Sequence, residues 1–136
     1  MGFDEIQTAC VIRYTYVWSH EAARGETEGR KARPVVVGVR LPRPDGDGLV
    51  LFPITTKEPD AGLFAVEIPD IEKRRGGLET AVRLWIILDD YNEDVIGRSF
   101  YLEPEPPLGQ FSRAFFLPVM RAFIARKRQA KGLKRR

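Results

Sequence analysis

One cysteine, Cys10, and one histidine, His20, are all that 136 residues contain of either type. A single cysteine forms no intrachain disulfide, and without a His/Cys cluster there is no zinc cage. One histidine also rules out a two-histidine acid–base pair within one chain. The acids are scattered, so neither a metal nor another cofactor is expected. No apolar run approaches the roughly 18 residues of a membrane helix. Met1-Gly-Phe-Asp-Glu-Ile6 lacks the basic and then apolar regions of a secretory signal, and Ile6 stands where myristoylation wants Ser or Thr. The expectation is a cytoplasmic protein with no membrane contact. Ser19, Ser99 and Ser112 lack the glycines of a nucleophile elbow, and there is no Walker loop or Gly-x-Gly-x-x-Gly fingerprint.

What is there is a globular composition, 43% apolar and 30% charged, in a length that suits one domain, 1–136. The charge is unevenly spread. Nine of the 22 Lys/Arg and none of the 19 acids lie from Pro106 onward, which leaves 13 basic against 19 acidic groups, or −6, before it. A basic end of this kind contacts nucleic acid or an acidic partner, or merely solubilises.

Alternation from Cys10 to Trp18 puts Ile12, Tyr14, Tyr16 and Trp18 on one face of a strand. A long polar loop, or a loop with a short helical turn, follows over 19–31. Pro34–Leu41 and Leu49–Thr55 read as a hairpin across the turn-rich Pro42-Arg-Pro-Asp-Gly-Asp-Gly48. Leu63–Ile68 is a short strand, 69–77 one or two helical turns ended by glycine, and Arg83–Leu88 the most apolar strand. Asp89–Asn92 reads as a turn or strand end, and Val95–Leu102 as a sixth strand. Phe115, Val119, Met120, Phe123 and Ile124 recur at helical spacing. With Pro118 in its first turn, that helix runs to about Ala130 and stops at Gly132. The expected fold is mainly β (α+β): a small, strongly bent barrel of core 10–126, closed by a C-terminal helix, with a basic tail 127–136.

The chemistry-bearing types gather around Glu28-Gly-Arg30-Lys31-Ala-Arg33-Pro-Val-Val-Val37 and Phe52-Pro-Ile-Thr55-Thr56, with Asp89 and Asp90 later. Arg33 is the last charge before a buried strand, so it belongs at a sheet rim. A carboxylate of adjusted pKa can take the proton of an RNA 2′-hydroxyl. A guanidinium offers forked hydrogen bonds to phosphate oxygens, and a hydroxyl adds another donor. On residue types alone, surface ion pairing fits equally well.

Those two motifs, in that order, resemble the signature of the MazF/PemK (Kid-like) toxins of type II toxin–antitoxin systems. The likeness runs from about Val11 to Ile124. It implies an SH3-like barrel closed by a C-terminal helix, homodimeric, and a metal-independent endoribonuclease. By the resemblance Glu28 is the general base and Arg33 steadies the phosphorane or protonates the leaving oxygen. Thr55 would fix the scissile phosphate, and Arg30, Lys31, Thr56 and Asp89 would bind substrate. The implied partners are single-stranded RNA and a small antitoxin. The opening strand and the acidic first loop depart from the family pattern and place the chain in a divergent branch. The alternatives are a non-catalytic binding module on the same barrel (a lapsed toxin or an inhibitor of a partner enzyme) and a basic nucleic-acid binder working through residues 113–136.

Overall fold

Val35, Val36 and Val37 are completely buried in the computed structural model, which describes residues 3–25, 32–97, 101–102 and 105–135. An uninterrupted apolar run suits a strand covered on both faces, and β2 (Arg33–Leu41) is such a strand. It pairs with β1 (Cys10–Tyr14) on one side and β3 (Gly48–Thr55) on the other, both antiparallel. A register shift between Val37 and Val39 bends the hairpin at Gly38, whose missing Cβ leaves room for the ring of Phe52.

The outer edge of β3 is shared. Its first half, Gly48–Leu51, pairs with β6 (Asp90–Val95); Ile54 and Thr55 pair with β5 (Trp85–Ile87), which carries β4 (Ala65–Glu67) at its edge. Between the two halves lie Phe52 and Pro53, and Pro53 has no N–H to offer a ladder. The chain therefore leaves β3 over residues 88–89, and the sheet forks there. β7 (Gly109–Gln110) adds to β1, and β8 (Lys131–Lys134) adds to β6 as its parallel partner. The result is a mainly antiparallel, α+β structure whose ladder is an open sheet.

Alternation along β1–β3 feeds two cores. Val11, Val36, Phe52 and Ile54 face the long helix α3 (Arg113–Arg126), which covers them with Phe116, Val119, Met120 and Phe123. Ile12, Tyr14, Val35, Val37, Leu49 and Leu51 face the other way, into the bend of the sheet, with Ile6, Cys10 and Tyr16. The short helices are α1 (Ser19–Ala23) and α2 (Asp70–Arg75).

Four expectations need correction. The first strand ends at Tyr14, not Trp18: across residues 15–18 the backbone ladder is replaced by the side chain of Asn92, which donates to Val17 O (2.8 Å) and accepts from Val17 N (3.1 Å). The sixth strand is Asp90–Val95, with a turn at 96–97, rather than Val95–Leu102, of which 98–100 lie outside the described residues. Asp90, Asn92 and Asp94 are buried polar residues on its inner face, which polarity alone reads as a turn. Pro118 lies inside α3 rather than in its first turn. Ser112 starts the helix instead, its hydroxyl accepting from Phe115 N at 3.2 Å. The basic end is not a tail: after a 3₁₀ turn, Lys127–Gln129, it becomes β8, and Arg135 is buried. Arg135 Nη1 donates to Thr15 O (2.6 Å) and Asn92 Oδ1 (2.9 Å), with its guanidinium over the Tyr101 ring. A charge is tolerated there because it is hydrogen-bonded on several sides.

Candidate functional site

Val35 pairs with Pro53, so two residues further along both strands Arg33 and Thr55 come to the same end of the sheet. By strand parity they share the inner face with Val35 and Leu51. They stand at the mouth of the bend, where a cleft of about 660 Å³ opens. Its walls bring together Arg33, Thr55 and Asp89 of the expected site, with Trp18, His20 and Asp90 beside them. Thr56, of opposite parity, is exposed and does not line the cleft. Glu28, Arg30 and Lys31 lie outside the described residues.

Arg33 reaches the cleft with its guanidinium 5.6 Å from the centre of the Trp18 ring. Its Nε is buried and has no hydrogen-bond partner among the described residues. A buried donor left unpaired carries a desolvation cost that an incoming acceptor would relieve. Thr55 Oγ1 accepts from Lys57 N at 3.1 Å, which leaves its own O–H free to donate outward. Asp89 sits at the fork of the sheet. Its Oδ2 accepts from Phe64 N at 2.7 Å, and its Oδ1 lies 4.0 Å from Arg126 Nη2.

Asp90, whose side chain points inward from β6, organises the cleft wall. It accepts from the Tyr16 phenol, from Ser19 N (3.1 Å) and from Ser19 Oγ (2.5 Å). Trp18, which precedes α1, has no side-chain acceptor to cap it, so the first helical N–H, that of Ser19, is taken by Asp90, 71 residues further on. Glu21 completes the turn by accepting from Trp18 N at 3.0 Å. Burial, and then the charge of Asp90 beside it, push the Tyr16 phenol well above its ordinary value, so it stays a donor.

The cleft is electrically mixed. Arg33, Lys57 and Lys131 face Glu21, Glu58, Asp60, Asp89 and Asp90 across it. Most of these carboxylates are engaged: Glu21, Asp89 and Asp90 with backbone N–H groups, and Glu58 with Arg83 at 3.3 Å. Among the described residues no three His, Cys, Asp or Glu side chains are grouped to hold a metal ion, and no helix is long and apolar enough to cross a membrane.

Trp18, His20 and Lys131 line the cleft although none was among the residues expected at this site. Trp18 shares the aromatic face of Tyr14 and Tyr16, a signal that could have found it. Nothing local marks Lys131, which reaches the cleft only because β8 joins β6. Compared with known proteins, the chain matches no family model, no curated protein and no solved structure.

Proposed function

We propose that this cleft binds single-stranded RNA and cleaves it without a metal, as a toxin-like endoribonuclease of the MazF/PemK type on an SH3-like barrel. The observation that carries the reading is the meeting of Arg33, whose buried Nε has no partner among the described residues, and Thr55 at one cleft mouth. Arg33 holds the non-bridging oxygens and balances the charge that grows on the phosphorane. Thr55 donates to the same phosphate, and Asp89 and Lys131 border it. Glu28, five residues before Arg33 in the chain, takes the proton of the 2′-hydroxyl. The new bond joins that oxygen to phosphorus, the bond to the 5′-oxygen breaks, and the leaving oxygen is protonated from Arg33 or solvent. The products are a 2′,3′-cyclic phosphate and a 5′-hydroxyl. The reading carries with it a homodimer and a small antitoxin whose segment covers the cleft.

A second reading, binding without cleavage, is favoured by the five carboxylates facing three cations, since excess acid repels a polyanion. One experiment separates the two. Long unstructured RNA is incubated in EDTA with the wild type and with Arg33→Ala. The nuclease reading expects cuts bearing 5′-hydroxyls, and a loss of about a hundredfold or more in the variant. A folded wild type that leaves several unrelated RNAs intact sinks that reading in favour of the binding module.

A further inference from the structure

Trp18 is flanked by two groups that both reach the cleft. The Arg33 guanidinium lies 5.6 Å from its ring centre, and the imidazole of His20 stacks on it with centroids 6.2 Å apart and planes 24° from parallel. Tyr16 meets the indole edge-on at 5.3 Å, which fixes the plane of the stack from the core side. The backbone beneath is held as well: Glu21 binds Trp18 N, and Asp90 binds both Ser19 N and Ser19 Oγ. His20 is exposed, makes a ring contact with Trp18, and lines the cleft. The indole thus contacts both groups, and the imidazole stacked on it is exposed at the cleft. A rigid, pre-set platform loses little entropy when a ligand ring extends it.

We propose that His20 and Trp18 form a nucleobase-stacking platform, on which a base of single-stranded RNA lies while its phosphate meets Arg33. The choice of RNA rests on the function proposed above; the platform itself rests on the stacked Trp18–His20 pair at the cleft. It gives the sole histidine a recognition role rather than a proton-transfer one, and it makes unpaired bases a requirement, since a base in a duplex has no free face to offer. Stacking tolerates any base, so the platform selects single strands without reading a sequence.

The test uses the full chain and a fluorescein-labelled RNA hexamer with every 2′-hydroxyl methylated, which lacks the attacking hydroxyl, followed by anisotropy. His20→Ala is expected to weaken binding about tenfold, and His20→Phe to restore it to within about twofold, because a stacked ring needs a face and not a proton. An abasic residue placed at each position in turn should cost a similar factor at one position in the wild type and almost nothing there in His20→Ala. His20→Phe binding as poorly as His20→Ala, an abasic series that shows no coupled position, or a wild type that does not bind the hexamer would each overturn the platform. Failure of the nuclease reading looks different: the wild type and His20→Phe bind the hexamer, the coupling is present, and no RNA is cut. If instead RNA is cut and His20→Ala changes neither KM nor hexamer affinity, the platform falls and the nuclease stands.

Discussion

The carboxylate of Glu72 on α2 accepts both the backbone N–H and the hydroxyl of Ser112, each at 2.8 Å, and so ties one helix to the start of another. Arg75 adds an ion pair at 2.9 Å. Ser112 is the residue that caps α3, so the covering helix of the main core is anchored through one buried acid.

That anchor sets an acid-side prediction. Burial acts to raise the Glu72 pKa, but the two Ser112 donors and then Arg75 outweigh it and hold the carboxyl below its ordinary value. A depressed native pKa contributes stability that is fully present above the unfolded value, about 4.3, and is lost as pH falls through the native one. Glu72→Gln should therefore cost about 2 kcal/mol at pH 7 and much less at pH 3. Urea denaturation at the two pH values measures this; an equal loss at both would show that the charge plays no part.

The opposite side of the pH range is governed by the inner core. Tyr14 donates to Asp94 Oδ2 at 2.7 Å and Tyr16 donates to Asp90, all four side chains being buried. Burial first, and the neighbouring aspartates next, raise both phenols far above the ordinary tyrosine value. A raised native pKa gives stability present below the unfolded value, about 10, and lost as pH climbs above it. In an absorbance titration at 295 nm these two phenols should ionise only in the cooperative step that unfolds the chain. Smooth ionisation of all four tyrosines near pH 10, with the fold intact, would contradict the buried pairs.

Two glycines with positive φ separate backbone strain from crowding. At Gly62 (φ +90°) an added Cβ meets nothing within 4 Å, whereas at Gly77 (φ +69°) it falls 2.1 Å from the Leu108 carbonyl oxygen. Gly62→Ala should cost about 1 kcal/mol, the left-handed penalty alone. Gly77→Ala should cost about 3 kcal/mol, because the backbone beside β7 must move apart. Denaturant midpoints compare the two, and equal losses would mean that Gly77 and Leu108 do not approach this closely.

Much of the framework was legible from local pattern. The Val35–Val37 run, the turn-rich 42–48 segment and the alternation of Leu49–Thr55 mark a hairpin, because burial periodicity and turn chemistry act over a few residues. That hairpin by itself delivers Arg33 and Thr55 to the same edge. What local pattern could not carry was the identity of partners distant in the chain. Asp90, Asn92 and Asp94 look like a polar turn until Tyr14, Tyr16 and Val17, more than 70 residues earlier, satisfy them. Lys131–Arg135 look like a solvated basic end until β6 offers an edge and Asn92 an acceptor. The amino-acid sequence by itself determined the central hairpin, the covering helix and the strand-end position of Arg33. Only the tertiary structure decided that β8 belongs to the sheet, and that Trp18 and His20 stand beside Arg33 at one cleft. The reason is physical: a buried polar group is stable only when its partner is present, and here the partner comes from the far end of the chain.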